Sequence, residues 1–302
     1  MGSIITRTNC PCCGSTVIGK VLACKDYTVS NEVFDIWECG ACTMRFTQGV
    51  PDQEAIGPYY QSDAYISHTD TQNGLVNKGY KIARNYTLNW KLKLLKHSLG
   101  KDFKSGSLLD IGAGTGAFLH QAAVSGWSVT GLEPDEGARK ICMDKYGIKE
   151  DVPEKLFGLE GDRYDAVTMW HVLEHVHQLH EYMDQLKRVL KPDGVALIAL
   201  PNYTSKDAQL YKAYWAAYDV PRHLYHFAPP AVSKLAALHG FGVESVVPMW
   251  LDAFYIALLS EQYKNGQSRL VAAVWNGLIS NLHALKTREA CSSLVYIMRP
   301  EN

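Results

Sequence analysis

The stretch LLDIGAGTGAFL, at residues 108–119, decides the fold of this 302-residue chain. Its first residues are apolar around one acid and predict a buried strand, and the glycines that follow predict a tight turn. The apolar residues after the turn begin a helix, whose exposed backbone N–H groups would face a ligand. Strands and helices alternate from here onward, so the sequence predicts an α/β fold with a mostly parallel sheet.

Two acids near this turn indicate which ligand it holds. Gly112, Gly114 and Ala117 alone would fit a dinucleotide-binding loop, with Glu133 placed for a ribose diol at the end of the next strand. Asp110, however, lies two residues before the first glycine, where its carboxylate would repel a pyrophosphate and suits a cationic amino group. An NAD-dependent oxidoreductase is therefore the weaker interpretation.

Four motifs in order resemble those of class I S-adenosylmethionine-dependent methyltransferases. The glycine-rich stretch resembles their motif I, and GLEPD at residues 131–135 resembles their acidic motif II. RYDAVTMWHVLEHV at residues 163–176 resembles the fourth strand with its continuation, and LKPDGVALIALPN at residues 190–202 resembles the turn and fifth strand. The motifs cover about residues 105–205, and the chain looks similar to the ubiquinone-biosynthesis O-methyltransferases.

The resemblance implies a Rossmann-like, seven-stranded methyltransferase sheet with S-adenosylmethionine as cofactor. It also implies a set of cofactor-binding residues at the carboxyl ends of the strands. These are Asp110, Gly112, Ala113, Gly114, Gly116, Glu133, Pro134, Trp170 and His171. Glycines let the backbone approach the methionine part, and an ionised Glu133 can accept from both ribose hydroxyls. Residues 149–154, after a short third strand, are candidates for the adenine pocket, and residues 293–298 resemble the antiparallel closing strand.

Candidates for the substrate side follow the fifth strand. YDVPRHLYHF at residues 218–227 resembles the substrate loop of small-molecule methyltransferases. Methyl transfer to a hydroxyl needs an aligned nucleophile and removal of its proton, and histidine titrates in the right range. We expect His223 and His226 to act as base or to orient substrate, Arg222 to pair an anionic group, and His171 to lie at the same crevice. The alternative is that the loop histidines are structural.

His171 also begins the pattern H-x-x-E-H, which is completed by Glu174 and His175 and is typical of inverted zinc peptidases. That pattern needs both histidines on one face of a helix, whereas the residues before His171 resemble a strand. We therefore predict that His171 lies at a strand end, which in a doubly wound sheet opens onto the ligand crevice.

The cysteines predict a metal site at the other end of the chain, because six of the eight lie within the first 42 residues. CPCC at residues 10–13 and CGAC at residues 39–42 have nearly the spacing of a tetrahedral zinc site in a zinc ribbon. The ligands assigned to one structural Zn²⁺ are Cys10, Cys13, Cys39 and Cys42. Cys12 could replace Cys13, and Cys24 is left over. A full thiolate shell leaves no open position, which disfavours a catalytic zinc.

Composition and motifs divide the chain into three parts. We expect a zinc ribbon at residues 1–50, a helical connecting segment at 51–104, and a methyltransferase domain at 105–302 with a helical insertion at about 252–286. The connecting segment carries a helical pattern from about residue 78 to 99 with a basic face, comprising Lys78, Lys81, Arg84, Lys91, Lys93 and Lys96, and more lysines follow at Lys101 and Lys104. The apolar insertion covers either the substrate side or a homodimer contact.

The remaining expectations concern location and partners. With 30 basic and 31 acidic residues, the whole chain has no field that would attract nucleic acid or acidic lipid. It shows no secretory signal and no apolar run of about 18 residues, so we expect a cytoplasmic protein without a membrane partner. The favoured function is S-adenosylmethionine-dependent methylation of a small molecule at oxygen. The alternatives are an RNA base methyltransferase, which would use the zinc ribbon and basic helix, and a non-catalytic Rossmann-type binding module.

Overall fold

The computed structural model describes residues 3–61, 75–100 and 103–301. Its strands are β1 Ile4–Ile5, β2 Ile18–Lys25, β3 Val33–Cys39, β4 Arg45–Thr47, β5 Val50–Pro51, β6 Ser107–Ile111, β7 Ser128–Leu132, β8 Tyr164–Trp170, β9 Leu190–Pro201, β10 Tyr225–His226, β11 Phe241–Pro248 and β12 Ser293–Pro300. Its α-helices are α1 Leu75–Ser98, α2 Ala117–Val124, α3 Glu136–Tyr146, α4 Leu179–Val189, α5 Lys206–Tyr211, α6 Pro229–Leu238, α7 Asp252–Asn265 and α8 Leu270–Lys286.

The central sheet has the strand order β11-β12-β9-β8-β6-β7 within the described residues. Strands β7, β6, β8 and β9 run parallel, and β12 runs antiparallel to both of its neighbours. The inner strands are buried on both faces, as is typical of a parallel sheet covered by helices. The predicted Rossmann-like α/β fold is confirmed, and so is an antiparallel closing strand at residues 293–298.

The seventh strand that was predicted for the sheet is reduced to a single bridge. Where a third strand was expected, one parallel bridge joins Leu132 to Asp151 at the outer edge of β7. A 3₁₀ helix, Pro153–Gly158, begins two residues later. Since proline has no N–H to donate to a ladder, the pairing cannot continue through Pro153.

Helices cover the sheet as the apolar patterns predicted. Helix α1 spans residues 75–98 where the pattern predicted about 78–99, and it buries Leu92 and Leu95 against the sheet. The predicted insertion consists of the packed pair α7 and α8 between β11 and β12. None of the helices in the described ranges is both long enough and apolar enough to cross a bilayer.

A second, four-stranded sheet forms at the N-terminal end, with the order β10-β4-β3-β2. Its edge strand β10 comes from the other end of the chain and pairs antiparallel with β4. The side-chain hydroxyl of Tyr203 donates to the carbonyl of Thr43 at 2.5 Å, and one hydrophobic cluster contains residues of both sheets. The two sheets therefore share a core, and the domain boundaries at residues 50 and 104 stay a prediction.

Candidate active site and metal centre

The glycine-rich turn after β6 contains three glycines with positive φ angles of 72°, 60° and 72°, at Gly112, Gly114 and Gly116. A Cβ atom at Gly112 would overlap Val172, and one at Gly116 would overlap Cys142. A Cβ at Gly114 would meet no atom within 4 Å. Gly112 and Gly116 are therefore required by packing, whereas Gly114 leaves an open approach to the backbone for a ligand.

Glu133 follows β7 and is tied to this turn. One carboxylate oxygen accepts the N–H of Gly114 at 2.8 Å, and the other accepts the N–H of Asp135 at 2.9 Å. Arg139 donates to the carbonyl of Glu133 at 2.6 Å. Burial raises the pKa of Glu133, although the N–H donors of Gly114 and Asp135 act to lower it. The turn and the acid thus form one rigid cradle at the carboxyl end of the sheet.

Asp110 lies beneath this cradle and is 1% exposed. The hydroxyl of Thr168 on β8 donates to its carboxylate at 2.5 Å. Burial raises the pKa of Asp110 to about 7, against the effect of Thr168 and the charge of Lys91. Burial likewise lowers the pKa of Lys91 to about 8. A carboxylate this poorly solvated is suited to bind a cationic group.

Trp170 is the last residue of β8 and His171 follows it, at the same carboxyl edge of the sheet as the cradle. The ring of Trp170 packs edge-on to Phe118, and the Nζ of Lys91 lies 4.2 Å from its centroid. His171 has a φ of 59°, which a non-glycine residue rarely adopts outside functional or tightly held positions. Its Nε2 lies 3.0 Å from a carboxylate oxygen of Asp252, the first residue of α7. Although burial lowers the pKa of His171, Asp252 and Glu174 outweigh it and raise the pKa to about 9.

A cluster of Glu174, His175 and His223 lies beside His171. Potential ligand atoms of these three residues lie within 4.8 Å of one another. Glu174 is fully buried, and Nδ1 of His171 lies 3.5 Å from one of its oxygens. The rings of His175 and His223 are edge-to-face with centroids 4.5 Å apart. Such a group can hold a divalent cation or accept a proton from a substrate.

The tautomers of the two histidines follow from their partners. Nδ1 of His223 lies 2.9 Å from the carbonyl of Ala217 and donates to it, so the neutral ring keeps an acceptor lone pair on Nε2. Nδ1 of His175 lies 3.1 Å from the carbonyl of Arg222 and 3.0 Å from the hydroxyl of Tyr60. Burial lowers the pKa of His175 to about 4, with a further contribution from His223, so His175 is neutral at pH 7.

The structure separates the other two substrate-loop candidates from this cluster. Arg222 is 1% exposed and donates to carboxylates of Asp219 and Asp26 at 2.6 and 3.0 Å. His226 is buried in β10, with Nε2 3.0 Å from the hydroxyl of Thr47, and burial lowers its pKa well below the usual range. These contacts favour structural roles, while the catalytic assignments of Arg222 and His226 stay predictions.

Four residues near the site were not predicted from sequence, namely Lys91, Thr168, His175 and Asp252. Glu150 lies within residues 149–154, the predicted candidates for the adenine pocket. Thr168 could have been found, because it is a polar residue within the apolar strand β8. His175 lies in a motif that was considered only as a zinc-peptidase pattern. Glu150 is buried beside Gly116 and Gly131, where burial raises its pKa to about 7. Lys91 and Asp252 reach the site only through tertiary packing.

The four predicted zinc ligands come together at the end of the N-terminal sheet, with Cys39 in β3 and the other three in turns. The Sγ atoms of Cys10 and Cys42 are 3.5 Å apart, those of Cys13 and Cys39 are 3.6 Å apart, and all four lie within 4.8 Å of one another. Tetrahedral Zn²⁺ with bonds of about 2.3 Å places sulfurs about 3.8 Å apart. Cys12 instead lies 3.9 Å from the carbonyl of Ala231. The group Cys10, Cys13, Cys39 and Cys42 therefore fits a metal ion.

Comparisons with known proteins agree with this geometry. A family model described as a methyltransferase domain matches residues 82–246. This is more than half of the chain, and the chain belongs to this family. The class predicted from the four motifs, a class I S-adenosylmethionine-dependent methyltransferase, is confirmed. The crystal structure of a SAM dependent methyltransferase from Archaeoglobus fulgidus shares the fold, with a TM-score of 0.50 and 22% identity over 72% of this chain and 94% of that one.

The similarity to curated relatives covers only part of each protein. The ubiquinone biosynthesis O-methyltransferase of Rickettsia bellii is 27% identical over 151 residues, which are 47% of this chain and 60% of that protein. The enzyme of the same name from Maricaulis maris is 31% identical over 136 residues, which are 42% of this chain and 54% of that protein. The chain thus matches little more than half the length of these relatives.

Proposed function

We propose that this protein transfers the methyl group of S-adenosylmethionine to a small-molecule acceptor, at oxygen. The observation that carries the proposal is the cradle in which Glu133 fixes the N–H of Gly114 beside an open face of the turn. Membership of the methyltransferase family and the similarity to ubiquinone biosynthesis O-methyltransferases support it.

The residues of the cradle fit the chemical groups of this cofactor. S-Adenosylmethionine supplies a methyl group on a positively charged sulfur when bound. The Glu133 carboxylate would accept from the ribose hydroxyls, while the buried Asp110 would pair with the cationic amino group. N–H groups at the start of α2 would donate to the carboxylate of the methionine part.

The histidine cluster supplies the proton acceptor for a hydroxyl substrate. Attack of the hydroxyl oxygen on the methyl carbon would form the O–C bond and break the S–C bond, so that S-adenosylhomocysteine leaves, while the O–H proton would pass to an imidazole nitrogen. Nε2 of His223 carries the free lone pair and lies 4.0 Å from Asp219, whose carboxylate stabilises the imidazolium that results. Glu174 adds a buried negative charge beside the same ring. We infer that His223 acts as the base and that His171, kept cationic by Asp252, orients the acceptor oxygen.

The four-cysteine group would hold a structural Zn²⁺. The ion would crosslink the turn at residues 10–13 to β3 and the turn at residues 40–42, at the end of the N-terminal sheet. Four thiolates would fill the tetrahedral shell and leave no open position for substrate, and the group adjoins the N-terminal sheet, whose strand β3 ends at Cys39.

Calorimetric titration of the zinc-loaded protein with S-adenosylmethionine tests the proposal. We expect Glu133→Ala to weaken binding at least about 100-fold, which corresponds to the loss of charge-assisted hydrogen bonds worth about 3 kcal/mol. Glu136→Ala is the matched control, since that acid is exposed on the next helix turn. A folded wild type that does not bind S-adenosylmethionine would refute the proposal.

The position of methylation needs a separate assay. Incubation with phenolic and catecholic acceptors, followed by mass spectrometry of product and S-adenosylhomocysteine, identifies O-methylation. Parallel reactions of the zinc-loaded protein without and with added Mg²⁺, free of chelator, show whether the cluster of Glu174, His175 and His223 works with a cation. His223→Gln should lower kcat about 100-fold or more with little change in cofactor affinity. Methyl transfer to carbon or nitrogen alone would contradict the proposed chemistry.

The two alternative functions gain no support from the comparisons. An RNA base methyltransferase would bind ribosomal RNA at low salt, with an affinity that falls steeply as salt rises. A non-catalytic binding module would fold and load zinc without binding the cofactor. The same calorimetric titration, with a gel-shift assay beside it, separates the three functions.

A further inference from the structure

Helix α8 places its small residues inward and its large residues outward. The buried positions are occupied by Ala273, Gly277, Ser280 and Ala284. A Cβ atom at Gly277 would lie 2.7 Å from the ring of Phe254 on α7, so the two helices are in close contact there. This face is used by the packing against α7 and α5, where Ser280 donates to Asp207, and the larger apolar residues of α8 lie elsewhere.

The outward face of α8 is an apolar stripe that nothing in the described part of the chain covers. Its members, each at least 41% exposed, are Val271, Val274, Trp275, Leu278, Leu282 and Leu285. At 100° per residue they fall within about 100° of the helix circumference. Together they expose on the order of 600 Å², the upper limit for a monomer and close to the roughly 800 Å² that one partner buries in a standard interface.

The absence of charged residues along the stripe indicates whether a lipid surface or a protein covers it. From Leu270 to Leu285 the helix contains no Asp, Glu, Lys or Arg, and Lys286 ends it. A helix that binds a lipid surface typically carries Lys or Arg along its polar face. Obligate protein interfaces, in contrast, are depleted of charge at their centre. The composition therefore favours a protein partner with an equally apolar surface.

The spacing of the stripe is symmetric about Leu278. Apolar residues lie four positions before and after it, at Val274 and Leu282, and seven positions before and after it, at Val271 and Leu285. Two copies of α8, packed antiparallel around a twofold axis at Leu278, would thus match apolar to apolar at these five positions, while Trp275 would lie opposite Asn281 of the other copy. We propose that this stripe is the interface of a homodimer, with Val271 of each copy against Leu285 of the other.

The proposed interface also bears on the active site. Asn281 of α8 donates to the carbonyl of Trp250 at 2.8 Å, and Asp252 begins α7 two residues later. A second copy against α8 would therefore brace the helix pair that holds Asp252 beside His171. The dimer does not depend on the proposed methyltransferase activity, since its evidence is confined to α8.

Sedimentation equilibrium of the zinc-loaded 302-residue chain tests the dimer. We expect wild type to be dimeric at micromolar concentration and Leu278→Glu to raise the dissociation constant at least about 100-fold, because the axis would bring two carboxylates together. Val124→Glu is the control, since Val124 is 74% exposed at the end of α2, outside the stripe. S-Adenosylmethionine affinity and circular dichroism of Leu278→Glu verify that the variant folds.

The antiparallel register has its own test. Val271→Glu alone and Leu285→Lys alone should each weaken the dimer, and the double variant should restore it at least about tenfold, because each Glu would face a Lys of the partner. Residues 271 and 285 are four helix turns apart within one copy and cannot pair there. In a parallel dimer the double variant would stay weak, and this result would overturn the proposed register.

Three results would contradict the homodimer, and one of them would identify a lipid surface as the partner of the stripe. A wild type that remains monomeric up to about 100 μM excludes the dimer, because a biological interface of this size is far tighter. Cosedimentation of that monomer with phosphatidylglycerol vesicles, abolished by Leu278→Glu, would identify a lipid surface instead. A Leu278→Glu variant that dimerises like wild type would also overturn the proposal.

Discussion

At the scale of single residues, Gly114 and Gly116 share one backbone conformation for different reasons. A methyl group at Gly116 would overlap Cys142, whereas one at Gly114 would enter open space. We expect Gly116→Ala to destabilise the fold by a few kcal/mol, through overpacking and positive φ. Gly114→Ala should cost only about 1 kcal/mol of backbone strain but should block cofactor binding.

Urea unfolding and calorimetry together measure this difference. Gly266→Ala serves as control, because Gly266 caps α7 at a φ of 72° with open space around it, far from the turn in sequence. If Gly114→Ala bound S-adenosylmethionine like wild type, the open face of the turn would not be the cofactor site.

The buried carboxylate of Asp110 gives a prediction about pH. The pKa of Asp110 in the folded protein is about 7, above the ordinary value of 3.8. Its contribution to the free energy of unfolding is therefore fully present below about pH 4 and is lost as the pH rises through 7. Asparagine does not ionise, so Asp110→Asn avoids this loss of stability. Its amide oxygen can still accept the hydrogen bond from Thr168. We expect the variant to be more stable than wild type at pH 8 by roughly 1–3 kcal/mol, and to bind S-adenosylmethionine more weakly.

Thermal unfolding at pH 5.5 and 8 measures this effect, with about 2–4 °C expected per kcal/mol. The gain should shrink at pH 5.5, where Asp110 of the wild type is mostly protonated. Asp193→Asn, an exposed acid in β9, is the control. A variant less stable than wild type at pH 8 would show that the carboxylate is well solvated or paired.

The sequence was sufficient to locate Asp110 and Glu133 at strand ends, because a strand, a glycine turn and a helix fix those positions locally. It could not supply Thr168, Lys91 or Asp252, since their elements meet the turn only through long-range packing. Nor could it separate His223 from His226. Residues three apart in one strand would point to opposite faces, but only His226 lies in β10, and His223 precedes the strand.

At the scale of elements, Arg222 fastens the substrate loop to the N-terminal sheet through Asp26, which follows β2. Both groups are 1% exposed. Removing the guanidinium would leave buried carboxylates unpaired, so Arg222→Ala should lower the free energy of unfolding by about 3–5 kcal/mol. Rescue by Arg222→Lys should be partial, because lysine cannot reach two carboxylates in a planar fork.

Equilibrium unfolding in urea checks this value, with the exposed Arg163→Ala as control. If Arg222 instead bound an anionic acceptor, as its position in the loop first suggested, Arg222→Ala would leave stability unchanged and raise KM. The two roles thus predict opposite results from one variant.

Prediction from sequence worked for long elements and failed for short ones. The period of α1 and the apolar runs of β8 and β9 are strong local signals, and their positions agree to within a few residues. The third strand and β10 are set by single bridges or pairs whose partners lie elsewhere in the chain. Such short pairings have no periodicity to detect.

At the scale of the whole molecule, the four-cysteine group should support the substrate loop as well as its own sheet. The hydroxyl of Thr47, at the end of β4, donates to the carbonyl of His223 at 2.7 Å. We expect removal of zinc, by chelation or by Cys39→Ser, to abolish turnover and to lower thermal stability. Cofactor affinity should fall less, because Asp110 and Glu133 belong to the central sheet.

Metal analysis, calorimetry and turnover measured on the same samples check this prediction. Cys12→Ser is the matched control, because Cys12 lies outside the four-cysteine group. A Cys39→Ser protein with full zinc content, or a zinc-free protein with normal turnover, would contradict the supporting role.

The pairing of β10 with β4 has a consequence for synthesis on the ribosome. At about 5–20 residues per second, roughly 10–40 seconds separate the emergence of residue 47 from that of residue 226. During this interval β4 is an open edge, and unpaired edges attract other strands. The brevity of β4, only three residues, limits that hazard. The first sheet to leave the ribosome is therefore among the last to be completed, and a chain interrupted before residue 225 would be left with an unfinished edge.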